Sequence, residues 1–446
     1  GQLDTDALRE AVRSLVAYHD SLRLGYQQTA SGWVQRYQTS VDAEQFSVVL
    51  LSGSESPQQQ VKETLEKRQK QLNIAEGDLV RAVLFELDGR QQLGLVVHHL
   101  VVDAVSWQTL VRDLETAYGQ LLAGEDVLLP PKTSSFKGWA EGLQSADISA
   151  EEVAYWENVV ISCGEAAPLA SPRREAATPL NHQVRFNEGK EDVRSKIGDG
   201  QRVSRCLDAE MTRVFLQDAY RERPQEKLLT AIALAISDKT GQGEIRFDLE
   251  GHGREEDFVP GVRLVRTVGW FTSVFPVVVS CEREPAETLR SVKQTLQEIP
   301  QNGIGYGVLR YLQPEKTTGM LSRSSSADVL FNYLGNLEQL LPSQSMFRMA
   351  QPLQVSRSEC MRRSHSIEIS AYLADRQLHI DWDYAGVDEL KVQAIADKTI
   401  NQLKQLTSEP NDAPTAEDFP LANLNSQKLD KLSSLLGKLD GLEEEL

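Results

Sequence analysis

The sequence predicts an α/β protein built as two lobes. Its 446 residues exceed the usual size of a single domain, and 40% of them are hydrophobic, enough for a large core. Runs of strand character recur between stretches of helical spacing along most of the chain. A stretch at 164–183, rich in Ala, Pro, Arg and Ser, reads as a linker. It separates a first lobe at 1–163 from a second at 184–410, and 411–446 reads as a C-terminal linker and helix.

Composition narrows the function. With 47 basic and 65 acidic residues the formal net charge is −18. That argues against nucleic acid and against anionic membrane surfaces as partners. There is no apolar run of 18 residues for a membrane span, and the charged N-terminal stretch does not resemble a secretory leader. Cys163, Cys206, Cys281 and Cys360 are far apart and form no CxxC pair. Free thiols in a reducing cytoplasm, with no zinc site, are the expectation.

In the first lobe, Leu3–Tyr18 places Leu8, Val12, Leu15 and Val16 on one helical stripe, with Asp4 or Thr5 as the cap. Gly32–Gln38 and Phe46–Leu51 read as strands, Pro57–Gln71 as a polar helix and Asp78–Leu87 as a strand before a turn at Asp88-Gly89. Leu93–Trp107, LGLVVHHLVVDAVSW, is the stretch around which the lobe is organised. An apolar strand reaches His98 and His99, turns at Asp103 and enters a helix with Leu110, Val111, Leu114, Tyr118 and Leu121 at helical spacing. Neighbouring strand residues face opposite ways, so one histidine is structural while the other is free for chemistry. A buried structural pair and a general acid/base are both open readings. A metal site is disfavoured, because no third His or Cys lies nearby. Thr133–Leu143 and Ser149–Val160 then read as helices capped by Ser134 or Ser135 and by Ser149 with Glu152.

The second lobe opens with a strand at Gln201–Leu207, a helix at Asp208–Tyr220 and a helix at Glu226–Ser237 that is apolar nearly all round. In Glu244–Glu250, alternation puts Ile245, Phe247 and Leu249 on one face and Glu250 on the other. Gly251 and Gly253 follow, where a backbone can turn and approach a ligand. Thr317–Asp328 is Ser-rich and suggests a mobile loop. Arg363–Tyr384 reads as a strand pair turning at Asp375-Arg376, with His365 and His379 structural. Beyond it, Gln427–Leu442 carries a leucine stripe fit for packing on its own protein or for docking.

Six motifs now converge. HHLVVDAVSW resembles the HHxxxDG signature of the condensation-domain superfamily of nonribosomal peptide synthetases, and its trailing SW resembles the epimerization branch. YHDSLRLGY resembles that superfamily's RHDxLRxxF element. EGHGRE at 250–255, RTVGWFTSVFP at 266–276, PQNGIGYG at 300–307 and FNYLG at 331–335 resemble epimerization-domain motifs, in the same order along the chain. Ala104 departs from the pattern, where the family usually has Gly; its methyl group is expected to narrow the channel or to restrict the loop's backbone angles. An early PxQxxW-like strand of the family pattern is not found, so the first lobe is expected to lack its first strand.

The resemblance implies two lobes like chloramphenicol acetyltransferase in a V-shaped pseudo-dimer, with the active site in the groove between them. It implies epimerization of the α-carbon of a carrier-bound L-aminoacyl or peptidyl thioester, with no metal and no cofactor held by the chain. The substrate would ride the 4′-phosphopantetheine arm of a separate peptidyl carrier protein, and neighbouring synthetase modules would be the other partners. His99 and Glu250 would exchange the proton, Asn332 would donate to the enolate oxygen or orient the thioester, and Tyr333 would be a secondary proton carrier. His98, Asp103 and Arg23 would support the site, Arg23 through an ion pair to Asp103. The rival readings are an amide-forming condensation domain using His99 and a non-catalytic module that docks a carrier protein.

Overall fold

The computed structural model describes residues 2–30, 32–39, 45–51, 56–87, 89–165, 195–217, 223–324, 326–341, 344–350 and 357–408. Nearly all of the expected linker and the whole C-terminal leucine stripe lie outside the described residues.

Helix α1 (Thr5–Tyr18) is capped by Asp4, which accepts from the Ala7 N–H, and its expected stripe is buried. A hairpin of β1 (Leu24–Thr29) and β2 (Gly32–Tyr37) follows. Strands β3 (Phe46–Leu50), β4 (Val80–Leu87) and β5 (Arg90–Val97) form a sheet in that order. β3 runs parallel to β4, since α2 (Pro57–Gln69) carries the chain across, and β4 and β5 are antiparallel. Helix α3 (Ala104–Leu122) packs on α1, and its Leu110, Leu114 and Tyr118 complete this core.

Helices α4 (Phe136–Ser145) and α5 (Ala150–Glu165) start where their caps predict. Ser135 Oγ accepts from Gly138 N at 3.0 Å, and Ser149 Oγ from Glu152 N at 3.2 Å. Although α5 precedes the linker, its Trp156 and Val160 are buried in the core of the second lobe.

That core is built on one sheet of six strands. Its elements are β6 (Gln201–Leu207), α6 (Ala209–Gln217), α7 (Pro224–Thr240), β7 (Glu244–Gly251), β8 (Ser273–Ser280), α8 (Pro285–Glu298), α9 (Ile304–Gly307), α10 (Met320–Arg323), β9 (Val329–Asn336), β10 (Ile367–Ala374), β11 (Gln377–Tyr384) and α11 (Glu389–Ser408). The strand order is β6-β11-β10-β9-β7-β8, with β9 parallel to both its neighbours. One face is apolar: Ile245, Phe247, Leu249, Phe331, Ile369, Ile380 and Trp382 pack with the buried faces of α7 and α11. The other face carries Asp248, Glu250, Asn332 and Glu368. β8 is not legible as a strand, because Pro276 interrupts it. It lies at the edge of the sheet, where a missing N–H is tolerated. The expected mobile loop at 317–328 instead contains α10, anchored by the fully buried Leu321.

Residues 252–272, between β7 and β8, cross to the first lobe. Val268 is buried in the first lobe's core, and Ser21 Oγ donates to its carbonyl at 2.5 Å. Arg266 donates to both carboxylate oxygens of Asp113, at 2.6 and 2.8 Å, and His19 Nε2 lies 2.9 Å from the same group. Both Arg266 bonds come from one nitrogen, Nη2, and are charge-assisted.

Candidate active site

β5 ends at Val97, and the histidines follow immediately. His98 is extended and caps a short 3-10 turn: its Nδ1 accepts from Leu100 N at 3.2 Å. It is half-buried, and burial, then the neighbouring His99, hold its pKa below the ordinary imidazole value. The His98 ring is thus engaged with its own turn. His99 is exposed, and its ring packs on Trp270 from the crossing segment, with centroids 4.9 Å apart and the planes at 49°. Trp270 itself is 42% exposed.

Asp103 is hydrogen-bonded where the loop enters α3, to a partner different from the one expected. It caps α3, accepting from Ser106 N at 2.7 Å. Arg254 Nη2 donates to both its oxygens at 3.0 and 3.1 Å, and Phe271 N donates at 3.2 Å. Arg254 also donates from Nη1 to the carbonyls of Leu264 and Thr267, at 2.9 and 2.8 Å, and lies 4.0 Å over the Phe271 ring. Arg23, the expected partner of Asp103, is instead bonded to Asp20 at 2.7 Å and to the Gln38 carbonyl at 2.5 Å. The short turn Asp20–Arg23 keeps its guanidinium beside Asp20, three residues away. Ser106 completes the junction, donating to the Gly269 carbonyl at 3.0 Å.

The departure at Ala104 is accommodated. Ala104 is the first residue of α3 and exposed, with no left-handed φ that would demand glycine. Gly253 is different: its φ is +66°, and a Cβ there would lie 1.7 Å from the Phe271 carbonyl oxygen. Gly253 therefore serves a close backbone approach within the crossing segment.

Glu250 lies near the end of β7, opposite Val274 on β8. Leu249 pairs with Phe331, so the next positions, Glu250 and Asn332, stand side by side on the polar face. Asn332 Nδ2 donates to Glu250 Oε2. By surface area Glu250 is only half-buried, yet the protein around it is dense enough to push its pKa above the usual carboxylate value. Arg357 opposes that shift, Glu368 adds to it and His365 opposes it.

Tyr333 is not brought to this pair. It follows Asn332 on the strand, faces the other way and packs against the core beside Phe331's layer; burial raises its phenol pKa. That placement argues against a direct part in proton transfer. His365 and His379 have structural partners: Asp248 at 2.9 Å and the Ala374 carbonyl at 3.2 Å. Among the described residues no group of His, Cys, Asp or Glu could hold a metal ion, and no helix is long and apolar enough to cross a membrane. Burial pushes the Cys281 thiol up to about 11, leaving it unreactive at neutral pH.

The raised Glu250 pKa has a testable sign. A raised folded-state value contributes stability at acid pH, which is lost as pH rises through that value. Glu250→Gln is therefore expected to melt above the parent at pH 8 while the two converge near pH 4. Equal melting temperatures at pH 8, by calorimetry, would show that the carboxylate is fully hydrated.

Comparison with known proteins places the chain. The condensation-domain family profile matches residues 1–427. The chain is 36% identical over 451 residues to a component of the linear gramicidin synthase of Brevibacillus parabrevis, covering 96% of this chain but 6% of that protein. It is similar to the crystal structure of the epimerization domain from the third module of tyrocidine synthetase B, with a TM-score of 0.77, 29% identity and coverage of 91% and 90% of the two chains. The condensation domain of the monacolin K polyketide synthase MokA shares the fold, with a TM-score of 0.67 and 17% identity over 92% of this chain and 90% of that one.

Proposed function

The chain belongs to the condensation-domain family, whose α/β lobes it shares, and we propose that within this family it is an epimerization domain of a nonribosomal peptide synthetase. It would convert a carrier-bound L-aminoacyl or peptidyl thioester to a D/L mixture. The observation that carries this reading is Glu250, a crowded carboxylate held by Asn332 on the polar sheet face. It is joined to the exposed His99 through the crossing segment that holds Trp270 and is fastened to Asp103.

The chemistry fits the two groups. Removing the α-proton of a thioester gives an enolate, stabilised more than that of an ester or amide because sulfur donates little into the carbonyl. Inversion needs a base on one side of the α-carbon and an acid on the other. A carboxylate and an imidazole from different lobes meet that need. Glu250 must be ionised to abstract a proton, and its raised pKa makes it a stronger base once it is. Asn332 already donates to Glu250, so its first role is to aim that carboxylate. The substrate would arrive on the phosphopantetheine arm of a peptidyl carrier protein belonging to neighbouring modules.

The condensation reading rests on the exposed His99 alone, as a base for an attacking amine. One incubation separates the two. The chain is mixed with an L-aminoacyl carrier protein and an aminoacyl acceptor carrier, and the products are released and resolved by chiral chromatography. D-amino acid without dipeptide is expected; dipeptide of unchanged configuration would establish condensation instead.

A further inference from the structure

Glu250 and Asn332 sit on different strands, and the backbone does little to align them. β7 and β8 are paired along all of Glu244–Gly251, and β9 and β10 from Val329–Ile367 onward. β7 and β9, by contrast, are in register over Phe247–Leu249, and the Glu250–Asn332 bond lies just past the end of that stretch. The sheet thus has a seam between β7 and β9. The proposed base stands on one side of it and the amide that aims the base on the other.

Side chains close the opposite end of the seam. Asp248 stands two residues before Glu250, on the same face, and is 6% exposed. Its Oδ2 accepts from Ala327 N at 3.0 Å, two residues before β9, and from His365 Nε2 at 2.9 Å, two residues before β10. Both donors reach it from across the seam. His365 is buried too, and its Nδ1 lies 2.9 Å from Ser364 Oγ, so both ring nitrogens are engaged. Ile367 N, at the start of β10, donates to the Asp328 carbonyl at 3.0 Å, which ties the two donor segments to each other. Glu368, also buried on this face, is held from its own side of the seam by Arg357 and Arg363.

Taking Glu250 as the base proposed above, we infer that Asp248 and His365 are positioning residues for it. Their clasp fixes the offset of β9 against β7 and so keeps Asn332 Nδ2 on Glu250 Oε2. A strand is nearly extended, so a slip of the chain at Ala327 is carried along its axis to Asn332. Without the carboxylate, Ala327 N and the imidazole would be buried with no acceptor, a cost that opening the seam to water relieves. A misplacement of 1 Å at a reacting group costs on the order of 100-fold in rate.

The test reads the Asn332 amide directly. The full chain is labelled with 15N in its asparagine side chains, and the Asn332 signals are identified by their loss in Asn332→Asp. Glu250→Gln shifts these signals, because a neutral acceptor replaces a charged one, and the size of that shift measures the coupling of the pair. Asp248→Leu fills the space without an acceptor, and His365→Phe keeps a ring without a donor. In both, the coupling is expected to collapse. Their kcat for α-proton exchange should fall by roughly tenfold to 100-fold, with KM unchanged because both side chains are buried. Asp248→Asn keeps an acceptor and should recover part of both. If Asp248→Leu does not fold, Asp248→Leu/His365→Phe, which strands no imidazole, replaces it with the same expected losses. A merely structural role would lower the melting temperature and leave the coupling, kcat and KM of the folded chain alone. A coupling of parental size in a folded variant overturns the inference. The coupling is read without any reaction, so the two claims fail separately. If it collapses while kcat holds, the base assignment fails and the clasp stands. If it persists while Glu250→Gln abolishes exchange, the clasp fails and the base assignment stands.

Discussion

Glu250→Gln is expected to lower α-proton exchange on a carrier-bound L-aminoacyl thioester by at least about 100-fold, the lower end of what a positioned general base contributes. The substitution keeps the shape of the side chain and an acceptor for Asn332 Nδ2, so the β7–β9 neighbourhood persists. What disappears is the basic oxygen. His99→Ala should cause a loss of similar size from the other side of the α-carbon, leaving the Trp270 ring uncovered. The double variant should be little worse than either single one, because the two groups act on one proton-transfer sequence. Exchange followed by mass spectrometry checks each value. A tenfold effect or less at Glu250, with the fold intact, would assign it to packing.

The largest expected effect on stability lies at Asp103. Asp103→Ala removes the cap of α3, worth about 1 kcal/mol. It also strands Arg254, whose side chain is 8% exposed, without its carboxylate. Breaking a buried pair from one side costs about 3–5 kcal/mol, so the second term dominates. Asp103→Asn should cost less, since it keeps the cap and an acceptor while losing the charge. The midpoint of chemical denaturation measures both. A loss below about 1 kcal/mol in Asp103→Ala would mean that the cap alone matters and that the lobes do not depend on this junction. The stabilising role is structural, so its failure would leave the proton-transfer reading intact.

Where the sequence is legible, the signal is local. The stripe of α1, the caps Asp4, Ser135 and Ser149, and the alternation that turns Glu250 away from Ile245 and Phe247 all follow from spacing within a few residues. Asn332 beside Glu250 needs the parallel register of β7 and β9, which no spacing reveals. The burial of Tyr333 is hidden for a related reason: alternation along β9 turns it into the core, but the residues around it do not announce a strand. Arg254 has a readable signal, since it stands four residues beyond Glu250 in the same motif. Its pairing with Asp103, far away in the chain, depends on the path of residues 252–272. Arg23 is expected to pair with Asp103 from the family resemblance alone; its own turn holds it to Asp20. Glu368 and Arg357 give no signal, because a buried carboxylate on β10 and an arginine on a loop resemble ordinary surface charges.

The most direct test of the central claim is inversion in deuterated water, started separately from the L- and the D-aminoacyl carrier protein. Configuration and α-deuterium content are read together for the parent, Glu250→Gln and His99→Ala. Proton transfer between these two groups predicts that the parent carries both isomers to the same mixture, with solvent deuterium at the inverted carbon, and that neither variant inverts either isomer at a comparable rate. Inversion at the parental rate in either variant, or a parent that leaves both configurations and the α-hydrogen untouched, would contradict it.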